Sequence, residues 1–282
     1  MSSKSPLAVV TMVHNEKELL PVWVRHYTRQ VGAQHCYILD HGSNDGSSTG
    51  LAVNVIRWPR CPHDEHLRAI AASDFCASLL YAYDRVLFTD GDEIVVADPS
   101  IFTSLTDFVQ RGNGLGPVLA PFGVDVLQDH LEEGELDWSQ PITWQRRWIR
   151  PFSSLSKPTL IAKRVEWAAG FHYCRQVPMV PIPPHLYLFH LAFSDNTMLY
   201  ERQIRRNTVQ KVQRDHHQVP PKPLLDHIMA DMERLPRTKV RMEAGNDEFE
   251  RVKKHYAAEL PYHRFIQAQD LWELPSRFRG VF

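Results

Sequence analysis

LAVVTMVHNEKELLPVWVRHYTRQVGAQHCYILD, residues 7–40, decides the architecture. Residues 7–13 are an apolar run of strand length, the pattern of a strand buried on both faces. After the polar His14-Asn15-Glu16, apolar side chains recur at Leu19, Leu20, Trp23, Val24 and Tyr27. That is a helical spacing, and Gly32 is a natural stop. Residues 36–39 read as a second strand, closed by the turn-rich DHGSNDGS of residues 40–47. Further out, residues 53–58 read as a third strand. Asp64 suits the cap of a helix running to about Tyr83, with Leu67, Ile70, Ala71, Phe75 and Leu79 on one side. Residues 86–88 read as a fourth strand, ending at TDGDE, residues 89–93. Strands alternating with helices imply a parallel, twisted sheet. Ligands of such sheets bind beyond the carboxyl ends of the strands. The three polar clusters fall at those ends.

The rest of the chain is less regular. Asp98-Pro99 reads as a helix opening with proline at the first helical position. Residues 118–126, 159–162 and 186–193 read as strands, whereas residues 131–150 mix Trp, charge and turn formers without a clear assignment. From Ser194 onward the pattern is helical and polar. Pro220, Pro221 and Pro223 separate two helices there, and His216-His217 falls on a polar helical stretch. The fold class is α/β: one domain with a mostly parallel sheet flanked by helices and a helical C-terminal extension.

Composition narrows the partners. With 32 Lys and Arg against 33 Asp and Glu, the 282-residue chain has no general attraction for nucleic acid. Cys36, Cys61, Cys76 and Cys174 form no C-x-x-C pair, which disfavours a zinc ribbon or dithiol motif and suits reduced thiols. No signal-peptide pattern opens the chain, and no stretch of about 18 apolar residues occurs. The expectation is a cytoplasmic protein. Aromatic and basic residues near the C-terminus leave peripheral membrane association open.

Asp90-Gly91-Asp92 is the sharpest chemical signal. In extended backbone alternate side chains share a face. The two carboxylates therefore suit Mg²⁺ or Mn²⁺, hard cations that prefer oxygen ligands and often share them with substrate phosphates. The same residues also suit an acidic turn closing a strand. Glu93 points the other way and reads as a support, bonding nearby backbone N–H groups.

TMVHNEKELLPVWVRHYTRQVGAQHCYILDHGSNDGS (residues 11–47) and RVLFTDGDEIVV (residues 85–96) together resemble the opening of family-2-like glycosyltransferases with the GT-A fold. The matching features are Asn15-Glu16, a W-x-x-H element at residues 23–26, a D-x-x-S-x-D-G-S element at residues 40–47 and a D-x-D-E element. The match is good over residues 7–98 and loose beyond. The resemblance implies a nucleotide-sugar donor (a UDP- or GDP-sugar), Mn²⁺ or Mg²⁺, and a glycan or lipid-linked acceptor in polysaccharide assembly. It implies that Thr11, Val13, Asn15, Glu16, Asp40 and Asp45 line the nucleoside pocket. It divides the chain into a donor half at residues 5–98, an acceptor half at 99–193 and the helical extension at 194–282. As alternatives, Glu16 suits a first-turn helix charge, and residues 43–46 suit a plain tight turn.

A third metal ligand is sought among histidines, with His190 in HLYLFHLAF and His172 in WAAGFHYC as candidates beside ordinary core roles. An inverting transferase needs a general base. Asp125, Glu166 and Asp195 are the candidates, though the family's mid-chain acidic pair is missing. Lys157 and Arg164 suit a departing diphosphate. Trp138, Trp144, Trp148 and Trp167 suit either a sugar-stacking wall or the core. Two other functions fit the same acids: metal-dependent phosphohydrolysis or nucleotidyl transfer, and non-catalytic binding of a nucleotide or glycan. No P-loop and no G-x-S-x-G elbow occurs.

Overall fold

A computed structural model describes residues 4–112, 114–177, 180–212, 218–259 and 264–282; the His216-His217 pair lies outside them. Two six-stranded sheets make up the core. The first contains β1 (Ser5–Val13), β2 (Cys36–Asp40), β3 (Asn54–Arg57), β4 (Tyr83–Phe88), β6 (Val118–Leu119) and β9 (Leu160–Ile161), in the order β3-β2-β1-β4-β9-β6. β1 to β4 run parallel, and β9 and β6 add antiparallel pairs at one side. Strand order changes direction between β2 and β4 around β1, the position at which open α/β sheets leave a crevice.

Beside the expected parallel sheet stands a second one. β5 (Glu93–Ala97), β7 (Phe122–Leu127), β8 (Trp148–Pro151), β10 (Leu186–His190), β11 (Arg237–Thr238) and β12 (Leu271–Glu273) are ordered β11-β12-β8-β7-β10-β5, a mixed sheet in which β10–β7 and β11–β12 run parallel and the other pairs antiparallel. The chain crosses from the first sheet to the second through the acidic turn between β4 and β5. It crosses again between β6 and β7. There residues 118–126, read as one strand, split at Ala120-Pro121 into two strands of different sheets. Pro121 has no N–H to donate to a ladder, so the break falls at a residue that could not have continued it. The sequence boundary at residue 98 coincides with no sheet boundary, since β5 pairs with β10.

Helix α1 (Leu19–Val31) buries Leu19, Leu20, Val22, Trp23, His26 and Tyr27. Gly32 ends it at φ 91°, a left-handed region that favours glycine. Helix α2 (Glu65–Leu79) starts at Asp64, whose carboxylate accepts from His66 N and Leu67 N. Its buried face is Ala69, Ala72, Ser73 and Cys76, and Leu67 and Ile70 are exposed, against expectation. Small side chains let α2 lie close on the sheet, and the larger ones turn outward. Asp98-Pro99 forms a turn in which Asp98 accepts from Ser100 N; the helix, α3 (Leu105–Arg111), begins later with Ser104 as its cap. α4 (Ile142–Gln145) and β8 occupy the stretch that resisted assignment. α5 (Asn196–Thr208), α6 (Pro221–Arg234) and α7 (Asp247–Glu259) form the C-terminal helices, with Pro221 in the first turn of α6. No described helix is long and apolar enough to cross a membrane.

Candidate active site

The polar loops after β1, β2 and β4 meet as the sheet topology requires, because Val13 pairs with Asp40 and Val10 with Phe88. Asn15 sits at φ 55°, a conformation asparagine tolerates better than most residues. Its Nδ2 donates to Asn44 Oδ1 and its Oδ1 accepts from the backbone N–H of Asn44, each at 2.9 Å, and Asn15 N donates to Ser43 Oγ at 3.0 Å. Below them Asp40 is fully buried. It accepts from Ser43 N at 2.7 Å, Ser48 Oγ at 2.8 Å and Arg57 Nη1 at 3.1 Å. Burial opposes its ionisation, but the Ser43 and Ser48 bonds and Arg57 hold the carboxyl below its usual range.

Helix α1 clamps both flanks of the acidic turn. Trp23 Nε1 donates to Thr89 Oγ1 at 2.8 Å on one side. On the other, Tyr27 Oη donates to Glu93 O at 3.1 Å and accepts from Val95 N at 2.8 Å, while His26 Nε2 bonds Val95 O at 2.9 Å. The W-x-x-H element thus acts on the turn as its brace. Gly91 lets the turn approach β1: a Cβ there would lie 3.2 Å from Val13 Cγ1. Leu191 N, just past β10, donates to Asp92 O at 2.8 Å and ties the second sheet to the same turn.

Each acid of the turn has cationic partners. Asp90 accepts from Arg68 of α2 and from Lys157 Nζ at 2.8 Å. Lys157 also reaches Glu93 Oε1 at 2.7 Å, and Glu93 Oε2 accepts from Asp90 N at 3.0 Å. Asp92 Oδ2 accepts from Arg202 Nη1 of α5 at 2.7 Å and lies 3.4 Å from His190 Nε2. Burial disfavours both ionised carboxylates, yet Arg68 and Lys157 at Asp90, and Arg202 and His190 at Asp92, hold both below the ordinary range. Burial pushes Glu93 and Glu16 the other way, upward, against Lys157 and Arg202 respectively.

Sheet register aligns a second row. His190 pairs with Glu93 on one side and Asp125 on the other, so the three side chains stand on one face. His190 Nδ1 bonds Asp125 Oδ1 at 2.7 Å, fixing the ring with Nε2 toward Asp92. Burial alone would lower His190, but Asp92 and the Asp125 bond raise it to about 10.

These groups line a cleft of about 1030 Å³. Of the residues singled out from sequence, Val13, Asn15, Glu16, Asp90, Asp92, Asp125, Lys157, His172 and His190 line it. His172 stands apart from the acids, with Nδ1 2.9 Å from Ser154 O. The other candidates lie outside the cleft. Thr11 is buried within β1 and Asp40 beneath its own loop. Asp45 accepts from Ser47 N at 3.0 Å in an exposed turn. Glu166 is exposed elsewhere, and Asp195 caps α5. Arg164 pairs with Asp74 at 2.7 Å on the surface. The four tryptophans make no cleft wall: Trp148 and Trp167 are buried in apolar clusters, and Trp138 and Trp144 sit away from the cleft. Arg68 and Arg202 were not singled out. Each lies on a helix with no surrounding motif, and only the tertiary fold aims it at the acids.

Among the described residues no three His, Cys, Asp or Glu side chains converge as a metal cage. The donors gathered at the acidic turn are carboxylate oxygens and the imidazole of His190. That chemistry fits Mg²⁺ or Mn²⁺ bound by one or two protein groups together with substrate phosphates.

No model of a known protein family matches the chain, and no curated protein does. Among solved structures it is similar to a mannosyltransferase from Pyrobaculum calidifontis in complex with GDP-Man and Mn²⁺. The identity is 15%, covering 93% of this chain and 77% of that one, with a TM-score of 0.38. It is also similar to a mannose-1-phosphate geranyltransferase from Thermus thermophilus, at 13% identity over 91% of this chain and 68% of that one, with a TM-score of 0.29.

Proposed function

We propose that the cleft binds a nucleotide sugar with a divalent cation and transfers the sugar to a glycan or lipid-linked acceptor. The observation that carries this reading is the acidic turn. It stands at the carboxyl end of β4, beside the β1 loop, with three cations and His190 around it in one cleft. Asp92 and His190, with Asp90 beside them, would hold the metal. A divalent cation there would supply Lewis-acid neutralisation of a departing nucleoside diphosphate. The chain's own contribution is electrostatic. Arg68, Lys157 and Arg202 already surround the acidic turn before any ligand enters, close to where leaving-group charge would develop. Asn15 and Glu16, at the end of β1, would meet the nucleoside. Among the three candidate bases only Asp125 lines the cleft, and its bond to His190 makes it the group that orients the imidazole.

An aspartyl phosphohydrolase fits less well. Its nucleophile would be the first acid of the turn, and both oxygens of Asp90 are already engaged by Arg68 and Lys157.

Thermal unfolding with UDP, GDP, CDP and ADP, each with and without Mn²⁺, tests the reading. A ligand at 100 times its dissociation constant stabilises by about 2.7 kcal/mol, a rise of about 5 °C or more for a chain of this size. One nucleotide should give this rise only with metal, and Asp92→Asn should lose it while keeping its own melting transition. An undiminished rise in Asp92→Asn would sink the assignment.

A further inference from the structure

Arg202 is the cation that the acidic turn borrows from farthest away in sequence. Its guanidinium bridges two elements. Nη1 donates to Asp92 Oδ2 at 2.7 Å, and Nη2 and Nε donate to Glu16 Oε2 at 2.8 and 3.2 Å. One turn on, Arg205 Nη2 reaches Glu18 Oε2 at 2.7 Å, so α5 is latched to the β1–α1 connection by two Arg–Glu pairs. Both Arg202 bonds to Glu16 fall on the same oxygen. The other, Oε1, is buried and has no protein partner. At Asp92 the crowding is greater, because Oδ2 is shared between Arg202 and His190.

This arrangement conflicts with simple metal binding. A divalent ion approaching Asp92 Oδ2 meets a guanidinium already on that oxygen, and like charges at contact repel strongly in a buried site. A guanidinium is also a planar fork whose donors match phosphate oxygens in pairs. Arg202 carries it on a long flexible stem from a helix that lines the cleft. A diphosphate arriving with its metal therefore brings both the ion that replaces Arg202 at Asp92 and the anion to which Arg202 moves.

We propose that Arg202 is a diphosphate-binding residue that rests, in the ligand-free cleft, as the counter-ion of Glu16 and Asp92. Divalent cation and nucleoside diphosphate then bind cooperatively, because each vacates the place the other needs. This rests on the nucleotide-sugar reading, and the two are tested apart.

The first measurement titrates Mn²⁺ alone, without nucleotide, into wild type, Arg202→Met and Arg202→Gln. Removing the competing cation should tighten Mn²⁺ binding about tenfold in Arg202→Met. Arg202→Gln, which removes the charge but keeps an N–H donor toward Glu16 and Asp92, should tighten it in the same direction, and it carries the test if Arg202→Met does not fold. The second measurement titrates UDP and GDP at saturating Mn²⁺, where Arg202→Met should bind whichever nucleotide wild type accepts about tenfold more weakly. Mn²⁺ affinity that is unchanged or weaker in the folded variants, or absent from all proteins, overturns the proposal. Nucleotide affinity unchanged in Arg202→Met overturns its phosphate half. Wild type that binds Mn²⁺ but no nucleoside diphosphate, with the gain in the variants intact, overturns the nucleotide-sugar reading and the phosphate half together, and leaves the counter-ion contact standing.

Discussion

His26 is wholly enclosed, with Nε2 on Val95 O at 2.9 Å, Nδ1 buried without a partner, and the rings of Tyr27 and Phe282 edge-on to it. Burial lowers its pKa to about 4, despite the pull of the Val95 carbonyl. The folded value lies below the unfolded one of about 6.5, so above that pH neither state carries the proton and stability is unaffected. As pH falls from about 6.5 to about 4, the unfolded chain takes up a proton that the folded protein refuses. Stability drops on the order of 3 kcal/mol across that window. Urea midpoints at pH 7.5 and pH 4.5 should therefore separate more for wild type than for His26→Gln, which keeps a donor for Val95 but does not titrate. Equal separations would remove His26 as an acid-sensitive post. This bears on function because His26 braces the strand that leaves the acidic turn.

At the scale of elements, α5 depends on Asp195, a residue that sequence offered as a catalytic base. Its Oδ1 accepts from Met198 N at 2.8 Å as the helix cap, and its Oδ2 accepts from Leu136 N, also at 2.8 Å. Asp195→Ala removes a cap and orphans a buried N–H, together costing about 3 kcal/mol. It should also weaken nucleotide binding by loosening the helix that carries Arg202. Asp195→Asn keeps a carbonyl oxygen for the cap and should retain most activity. A collapse of kcat in Asp195→Asn without loss of stability would restore the base assignment. The residue illustrates how far the sequence could be read. Asp-Asn before a helical pattern is equally a cap and an acid, and only the position of the side chain separates the two. By contrast β1, α1, β2 and β4 were legible because local periodicity fixes them. The residues at their carboxyl ends, Asn15, Glu16, Asp90 and Asp92, came with them. Of the second sheet, β7 and β10 fall within stretches read as strands, but their assembly into a separate sheet was not legible. Its strands are short, and their partners lie far along the chain, as in the pairing of Trp272 with Ile149. Arg68 and Arg202 were hidden for the same reason, since a lone arginine on a polar helix looks like solvated charge.

Across the whole molecule, the cleft depends on how closely the segment after β8 presses onto the second sheet, and Gly123 sets that distance. It lies in β7, opposite Leu188 of β10. A Cβ at this position would stand 2.3 Å from Leu155 Cβ and 2.6 Å from the Leu155 carbonyl carbon. The backbone on both sides is pinned: Gly123 N donates to Ser156 Oγ at 3.1 Å, and Phe152 N donates to Gly123 O at 3.1 Å. Leu155 is two residues before Lys157, whose ammonium joins Asp90 and Glu93. An alanine would have to push the 153–157 segment outward, and the displaced backbone would carry Lys157 off the acidic turn. Gly123→Ala should therefore cost about 1–3 kcal/mol by overpacking. Beyond that it should behave in nucleotide binding like Lys157→Met, although it lies outside the cleft lining. Urea denaturation and nucleotide titration on both variants check this. A Gly123→Ala protein with wild-type nucleotide affinity would show that Lys157 is held in place independently of the packing between β7 and the segment that follows β8.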